Sequence, residues 1–440
     1  MRYYKYPKLF TVDIDTEHKV VVNSLNLRWD VFDKLQIKVL KAFEGGCDVN
    51  TVIKKMDIPQ AYTERVVDLL LMAGFLKKTP DFPTPCFRDP PEVMSIWVQT
   101  SNICNLRCSY CYIKRNKSRM SDTIWLQFKK KILQTAKQRK LKRVTLRIAG
   151  GEPTLTLKSY TYHLEDIKNE MGKIDCEFRV VLITNLTIVT PQMIEFVKRM
   201  NCSVSVSLDG LGEFHNKSRM FINGDGSFNV IEKNLDLLLG QGIRPMILTV
   251  VSENNLDGLP EFTRYILKKN LFFRYNLVIN FGIGRLQEKL IRILKMCYRI
   301  IEGYMDDHPD YDFNGKHVFC NLMTGEPVFQ GCNAGYGALT LNTDGSIYVC
   351  QTVLRDGKSC GTIWDKRDLL TISMNQKDYP LWIARPECDS CNIRFICAGG
   401  CPLHEQKEEK SVLCRTFQEI TPILYKLKGK QRLSLLFNGN

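Results

Sequence analysis

Three cysteines, Cys104, Cys108 and Cys111, lie in the segment Cys-Asn-Leu-Arg-Cys-Ser-Tyr-Cys-Tyr with the spacing CxxxCxxC. The apolar run just before them, 93–98, is typical of a β-strand, so the cysteines are expected on the loop that follows it. Three thiolates on one short loop can hold three irons of a 4Fe–4S cube. Because an electron-transfer cluster is normally closed by four cysteines, this spacing predicts one iron that a non-protein group binds.

A second field of cysteines lies in the C-terminal third of the chain. Cys332 is followed by Gly345 and Cys350. A closely spaced group then comprises Cys388, Cys391, Cys397, Cys401 and Cys414. The 17 cysteines of the chain are an odd number, and many stand in CxxC-like groups, which favours metal ligation over a disulfide framework. Paired CxxC groups often hold zinc, so a zinc ribbon is the alternative to iron–sulfur ligation.

The CxxxCxxC loop resembles that of the radical S-adenosylmethionine (SAM) superfamily, and Gly150-Gly151-Glu152-Pro153, after the second predicted strand, matches its GGEP motif. The resemblance implies that SAM chelates the open iron through its methionine amine and carboxylate. An electron from the cluster would then split SAM into methionine and a 5′-deoxyadenosyl radical. The amides of Gly150 and Gly151 are expected to bind the SAM amino group, and Glu152 either to accept from it or to brace the loop.

Further SAM contacts are carried over by matching motif. Tyr110 matches an aromatic residue that packs near adenine, with plain packing as its alternative role. Asn185 ends the third predicted strand, and Ser207 and Asp209 belong to a Ser-Leu-Asp-Gly segment similar to one whose polar groups face the SAM ribose or the substrate. Arg219 matches an arginine positioned for the SAM carboxylate, whereas a lone arginine would more often be a solvated surface charge.

The C-terminal cysteines and Gly345 fall at the spacings of the SPASM domain, which this region resembles. The resemblance implies two auxiliary 4Fe–4S clusters, and therefore three clusters in all. The implied ligands are Cys332, Cys350 and Cys401 for the first auxiliary cluster, and Cys388, Cys391, Cys397 and Cys414 for the second. Glu326 stands where many relatives carry an eighth cysteine. Cys320 is therefore expected to complete the first set, the alternative being an open iron.

The elements that must position these residues alternate between strand-like and helical runs from 93 to 305. Six such units predict an α/β fold with parallel strands and helical crossovers. The number matches the partial (β/α)6 barrel of radical SAM enzymes. Because barrel sites form at the carboxyl ends of the strands, the loops named above are expected at one end.

The first 80 residues predict a smaller α+β unit. Two strands, 10–14 and 19–23, precede a helix with apolar positions from Val31 to Phe43, and two further helices end before Gly74-Phe75-Leu76. This order resembles the winged-helix, PqqD-like domain that binds leader peptides by strand addition. A structural cap is the alternative. A proline-rich linker is expected at 81–92, the SPASM domain at 306–425 and a basic tail at 426–440.

Composition limits the partners. The net charge of +15 is spread over the whole chain without a basic block or a nucleic-acid motif, so a nucleic-acid partner is not expected. No apolar run reaches the roughly 18 residues of a membrane span, and the N-terminus lacks the apolar core of a signal peptide. The sequence therefore predicts a cytoplasmic protein with reduced thiols and no membrane partner.

SPASM enzymes as a group act on peptides or proteins. The predicted function is maturation of a ribosomally made precursor peptide (a RiPP), whose leader binds the N-terminal unit and in which a thioether or carbon–carbon cross-link forms. The electron donor would be of flavodoxin or ferredoxin type. The strings Tyr275-Asn276-Leu277, Phe281-Gly282-Ile283-Gly284-Arg285 and Cys332-Asn333-Ala334-Gly335 look similar to the thioether-forming branch.

Three alternatives remain open at this point. An enzyme of the same superfamily could oxidise a cysteine or serine of a sulfatase to formylglycine. Radical modification of tRNA has only the positive charge in its favour, and a peptide-binding scaffold with structural clusters would be no enzyme. No Asp, His or Tyr in 270–345 stands out as the general base.

Overall fold

The N-terminal part contains two small antiparallel sheets and three helices, in the order β1 (Arg2–Lys5), β2 (Leu9–Asp13), β3 (His18–Asn23), β4 (Trp29–Asp33), α1 (Lys34–Ala42), β5 (Cys47–Asp48), α2 (Val49–Met56), α3 (Gln60–Met72) and β6 (Leu76–Lys77). One sheet has the strand order β2-β3-β4 and the other β5-β1-β6. Val31, expected in the first helix, lies on β4 instead. The helix begins only at Lys34 because the Asp33 side chain caps it, accepting from the backbone N of Gln36.

This computed structural model describes residues 1–85, 91–277, 286–320, 322, 324–355, 357–374, 386–401, 403 and 411–438. Residues 86–90 of the predicted linker, the string 281–285 and the last two residues of the chain lie outside the described residues. Within the described ranges, no helix has the length and apolar character needed to cross a membrane.

The central part builds one large sheet with its helices, in the order β7 (Val93–Gln99), α4 (Asp122–Arg139), β8 (Arg143–Ala149), α5 (Thr161–Met171), β9 (Glu177–Thr184), α6 (Pro191–Met200), β10 (Ser203–Ser207), α7 (Glu213–Asn216), α8 (Phe228–Gly240), β11 (Met246–Val251), α9 (Leu259–Lys268), β12 (Phe272–Leu277) and α10 (Gln287–Asp307). Strands β7 to β12 are parallel and adjacent in chain order. The predicted α/β fold with six parallel β/α units is therefore confirmed.

The C-terminal part extends the same sheet at both edges, through α11 (Phe313–Lys316), β13 (His317–Phe319), β14 (Ala338–Leu341), β15 (Ser346–Tyr348), β16 (Gly361–Thr362), α12 (Leu369–Met374), α13 (Arg394–Cys397) and α14 (Cys414–Asn438). β13 pairs in parallel with β12, and β14 pairs in parallel with β7 before β15 and β16 follow. The expected boundary at 305/306 is thus crossed by continuous sheet pairing and by helix α10.

The expected basic tail at 426–440 is instead helical as far as Asn438, as part of α14. The apolar alternation of β3 explains this packing. Val20 and Val22 share one buried cluster with Tyr425 of α14, whereas Val21 joins the cluster formed with α1 and α3. Gly429 permits the close approach, because a Cβ there would lie 2.4 Å from Val20 Cγ2. The N-terminal sheet is therefore packed between its own helices and α14.

Candidate active site

The residues predicted to bind the cofactors all follow the carboxyl ends of neighbouring parallel strands. Cys104, Cys108 and Cys111 lie on the loop after β7, Gly151 on the loop after β8, and Asn185 directly after β9. Asp209 follows β10 in the same way. The structure therefore brings these loops to one end of the sheet, where α/β barrels form their sites.

The Gly-Gly-Glu loop clamps the backbone of the cysteine loop. Gly151 N donates to Ser101 O (2.8 Å), and Glu152 N donates to Ile103 O (2.8 Å). A Cβ at Gly151 would lie 2.1 Å from Ile103 O, so only glycine allows this approach. The Gly151 N–H is already used in this contact. Binding of the SAM amino group by Gly150 and Gly151 stays a prediction.

Glu152 is almost fully buried, and its carboxylate braces two loops. It accepts from Thr184 Oγ1 (2.7 Å), Asn185 N (2.7 Å), Thr154 N (3.1 Å) and Thr154 Oγ1 (2.7 Å). Burial raises the pKa of Glu152, and these hydrogen bonds oppose the rise. Of its two predicted roles, bracing the loop is the one that the hydrogen bonds support.

Asn185 links the end of β9 to the cysteine loop. Its Nδ2 donates to Asn105 Oδ1 (3.1 Å) and lies 4.0 Å from Cys104 Sγ. Asn105 in turn donates to Thr187 Oγ1 (2.8 Å). Asn105 and Thr187 are not among the predicted site residues, and the only sequence signal for Asn105 was its place beside Cys104.

Asp209 organises a buried group that contains two further predicted residues. Its Oδ2 accepts from Arg219 Nε (2.8 Å) and from the Tyr110 hydroxyl, while Oδ1 accepts from Val250 N (2.9 Å). The guanidinium of Arg219 lies over the Tyr110 ring, 5.2 Å from its centroid, and its Nη1 is 3.8 Å from Cys108 Sγ. Arg219 is only 8% exposed, so the alternative of a solvated surface charge is wrong.

A buried histidine that the sequence did not single out supports this group. His215 Nδ1 accepts from Asp209 N (3.1 Å), and its Nε2 lies 3.0 Å from Ser227 Oγ, which donates to Arg219 O (2.7 Å). Burial lowers the pKa of His215 to about 4, so the ring is neutral near pH 7. Ser207, the last residue of β10, is half-buried and pairs in register with Leu248.

The three thiols of the cysteine loop lie close enough to affect one another. Burial, followed by the charges of Glu152, Cys108 and Cys111, raises the pKa of Cys104 to about 12. A thiol with so high a pKa ionises near pH 7 only when a cation is bound beside it, and a group of irons would supply that charge. At the start of the loop, Gln99 Oε1 and Ser101 Oγ are buried without a hydrogen-bond partner in the part of the chain that the structure describes. The donor set thus fits an iron–sulfur cluster and a polar cofactor beside it.

Electrostatic effects link some of the C-terminal cysteines to one another. Burial raises the pKa of Cys332, and the charges of Cys350 and Cys320 add to the rise. Burial likewise raises the pKa of Cys397, and the charges of Cys414, Cys391 and Cys388 add to the rise. Cys401 lines a cavity together with Cys320 and Cys397. Among the described residues, no three His, Cys, Asp or Glu side chains are arranged around a single metal ion. Ligation of clusters by these cysteines stays a prediction.

Tyr112, another residue not among the predictions, lies near a cysteine of each field. Burial raises its pKa well above the ordinary value, and the charges of Cys111 and Cys350 add to this. Its ring centroid is 6.4 Å from that of Trp97 on β7. Its place directly after Cys111 was the only sequence signal for it.

Comparison with known proteins agrees with this geometry. Residues 98–266 match the family model described as "Radical SAM superfamily". The chain is 23% identical over 341 residues to a cysteine-type anaerobic sulfatase-maturating enzyme of Clostridium novyi, covering 72% of this chain and 91% of that protein. The structure of native anSMEcpe with bound AdoMet and Cp18Cys peptide superposes with a TM-score of 0.59 at 21% identity, covering 79% of this chain and 99% of that one.

A second solved structure, Streptococcus suis SuiB bound to the precursor peptide SuiA, has a TM-score of 0.50 at 14% identity and covers 91% of this chain and 95% of that one. At these identities the structural matches concern the fold. The family model and the relatives indicate an enzyme rather than a non-enzymatic scaffold. The family implies SAM and a 4Fe–4S cluster as cofactors. Residues 98–266 of this chain therefore form a radical SAM domain.

Proposed function

We propose that this enzyme installs a thioether or carbon–carbon cross-link in a ribosomally made precursor peptide, whose leader binds the N-terminal unit. The observation that carries the proposal is the small α+β unit of residues 2–77, which precedes the radical SAM domain. The peptide-bound SuiB structure covers 91% of this chain, against 79% for the anSMEcpe structure. This difference in coverage supports a shared additional unit, without fixing the peptide that it binds.

The residues have separable tasks in this proposal. When bound and reduced, the cluster with SAM supplies a 5′-deoxyadenosyl radical that removes a hydrogen atom from the substrate. Cys104, Cys108 and Cys111 would hold the cluster, while Gly151 and Glu152 keep their loop in place through the hydrogen bonds described above.

Formation of a thioether removes one hydrogen from sulfur and one from carbon. Once the radical has taken the hydrogen atom from carbon, a proton and an electron must also leave the substrate. The C-terminal cysteine groups would hold two auxiliary 4Fe–4S clusters, which supply an acceptor for that electron. The charges of both Cys111 and Cys350 act on Tyr112, so this side chain lies near both fields. A flavodoxin- or ferredoxin-type protein would donate the electron with which the SAM-binding cluster splits SAM.

The test uses the anaerobically reconstituted full chain with SAM, reductant and the short peptide encoded beside its gene. Mass spectrometry is expected to find a peptide that has lost two hydrogens and kept its sulfur. Deoxyadenosine formation with an unchanged peptide would count against cross-linking.

A second candidate, formylglycine formation in a sulfatase, is favoured by the relatives that are sulfatase-maturating enzymes. The two products differ chemically, because formylglycine carries an aldehyde and a cross-link does not. A synthetic sulfatase-motif peptide should therefore be assayed in parallel and labelled with a hydrazide probe. Labelled product from that peptide, together with an unchanged neighbouring peptide, would reverse the preference.

Cys104→Ala tests the assignment of the first cysteine loop. We expect deoxyadenosine formation to disappear, because three thiolates are needed to hold the SAM-binding cluster. Iron bound to the C-terminal cysteines should remain largely in place. Cys202→Ala is the matched control, since this buried cysteine lies just before β10, outside both cysteine fields. Substrate modification by the Cys104→Ala protein would contradict the mechanism.

A further inference from the structure

The inner face of the curved sheet carries a row of register partners near the cysteine loop. Met94, Ile96 and Val98 of β7 are buried in the core that also contains the helices, so Trp97 points to the opposite face. Trp97 pairs in register with Arg147 of β8 on one side and with Thr340 of β14 on the other. Because register partners in a sheet point to the same side, these three side chains share the inner face.

Arg147 also meets a second cation across this inner space. Burial lowers the pKa of Arg147, and the charge of Arg274 lowers it further, although Arg274 lies on β12, four strands away in the order of the sheet. The sheet must therefore curl so that β8 and β12 face each other. Arg274 in turn lies near Cys320 and Cys332, whose charges act on it. Two guanidiniums thus lie on the inner face, and Arg274 is the one near the cysteines.

Arg147 differs from the other arginines on this side of the sheet. Arg143, two alternations earlier on β8, lies 3.8 Å from Glu177, and Arg179 on β9 donates to the same glutamate (2.6 Å). Arg147 Nε donates to Ser95 Oγ (3.1 Å), and no described carboxylate forms an ion pair with Arg147. Solvent can reach the side chain, although the surrounding protein partly desolvates it. Its charge is therefore available to a ligand that enters there.

Two neighbours add polar atoms without a partner. Trp97 Nε1 and Thr340 Oγ1 are buried and have no hydrogen-bond partner among the residues that the structure describes. The indole N–H and the guanidinium are donors only, and the hydroxyl can donate as well. A cluster of donors with a positive charge matches an acceptor-only anion, and a planar carboxylate suits the fork of an arginine.

We propose that Arg147, with Trp97 and Thr340, binds a carboxylate of the peptide substrate, either an Asp or Glu side chain or the C-terminal carboxylate. This inference rests on the proposed function, since it names a feature of the peptide on which the enzyme would act. Trp97 contacts Tyr112, which directly follows Cys111, so the carboxylate would be held beside the cysteine loop. It would anchor the residue that faces the radical chemistry.

The test is a binding measurement that needs no turnover. The reconstituted full chain, loaded with SAM and left unreduced, is incubated with a library of random 12-residue peptides. One half of the library has a free C-terminus and the other half a C-terminal amide, and retained peptides are read by mass spectrometry. We expect peptides with a carboxylate to be retained about tenfold better than their Asn, Gln or amide counterparts, the size of one charge-assisted contact.

Arg147→Gln should remove this preference, and Arg147→Lys should retain part of it, because the charge stays while the fork is lost. Arg143→Gln, on the same face but paired with Glu177, is the matched control and should keep the preference. If free-acid peptides are retained better than amidated ones and Asp or Glu gives no advantage over Asn or Gln, the ligand is the C-terminal carboxylate. If Asp or Glu peptides are preferred over Asn or Gln peptides in both halves, the ligand is a side chain.

An equal retention of acids and amides by the wild type, including no retention of either, would overturn the proposal. So would an unchanged preference in Arg147→Gln. Loss of SAM binding by this variant would assign the guanidinium to the cofactor instead. Because peptides are retained without reaction, a failure of the cross-linking assay leaves this result intact.

Discussion

Glu152 connects three parts of the site with one side chain. Its two carboxylate oxygens accept four hydrogen bonds, and its own backbone N–H holds Ile103 in the cysteine loop. Two of the four donors, Thr154 N and Asn185 N, are backbone groups that cannot become acceptors. The geometry of the cysteine loop therefore depends on a carboxylate at this position.

Glu152→Gln should lower the free energy of unfolding by about 1–3 kcal/mol, because the carboxamide nitrogen leaves a buried donor without an acceptor. Iron content per chain should also fall as the loop loosens. Urea unfolding and iron analysis measure both. The control Glu195→Gln, at an exposed helix position, should change stability by less than about 0.5 kcal/mol. Equal stability of the two variants would contradict the bracing role.

His215 makes the site sensitive to acid. Its folded pKa of about 4 lies below the ordinary 6.5, so the stability of the neutral ring is fully present above pH 6.5 and is lost as the pH falls towards 4. The loss can reach about 1.4 kcal/mol per pH unit. His215→Gln should remove this part of the pH dependence. Urea midpoints of both proteins between pH 7.5 and 5.5 test it, and parallel slopes would show that His215 is not responsible.

At the scale of elements, the site is built by loops that clamp one another. The loop after β8 donates two backbone hydrogen bonds to the loop after β7, and the end of β9 is tied to both through Asn185. The close backbone contact at Gly151 is the narrowest point of this arrangement. A side chain there has to displace Ile103 O, which is backbone and cannot rotate away.

Gly151→Ala should therefore destabilise the protein by about 1–3 kcal/mol and reduce the iron held by the first cysteine loop. Thermal unfolding and iron content give the two readouts. Gly303→Ala is the opposite case, since nothing lies within 4 Å of a Cβ at this position in α10. That variant should be stabilised by up to about 1 kcal/mol, the difference between glycine and alanine in a helix. A Gly151→Ala protein with normal iron would refute the clamp.

At the scale of the whole molecule, α14 joins the C-terminal and N-terminal parts. Tyr425 lies in edge contact with Phe10 and Trp29 of the N-terminal sheet, at centroid distances of 5.7 and 6.3 Å. On another side of the helix, Lys430 pairs with Glu302 (3.1 Å) and Asp306 (2.7 Å) of α10. The N-terminal unit is thus held to the barrel by buried contacts as well as by the linker.

Gly429→Leu tests this connection. A Cβ at this position would already lie 2.4 Å from Val20 Cγ2 and 2.6 Å from Ile14 Cδ1, so overpacking should cost about 1–3 kcal/mol. Hydrogen exchange should become faster in β2, β3 and β4, while the barrel strands stay protected. Gly303→Leu, with open space around it, is the control. Unchanged exchange in the N-terminal sheet would mean that α14 does not hold it.

The sequence alone determines the six alternating β/α units. Each strand or helix can be identified from the period of its apolar residues within a short segment of the chain. The spacing of Cys104, Cys108 and Cys111 is equally local, and so is the position of Gly150-Gly151-Glu152 after a strand. The start of α1 was harder to place, because the apolar Val31 continued the helical period while Asp33 provided the cap. The helix cap and the apolar period thus favour different starting residues. Such a conflict shifts the first residue of the helix but does not remove the helix.

Contacts between distant parts of the chain are decided by the tertiary structure. Tyr110, Asp209 and Arg219 meet across about one hundred residues, and His215 becomes part of the site only because Asp209 N points at its ring. A basic segment such as 426–438 carries charges typical of a free tail, yet its Gly429 lies directly against Val20 and Ile14. Arg147 and Arg274 come within electrostatic range of each other only because the sheet curls. Burial and charge pairing depend on which surfaces meet, and only the folded chain brings those surfaces together.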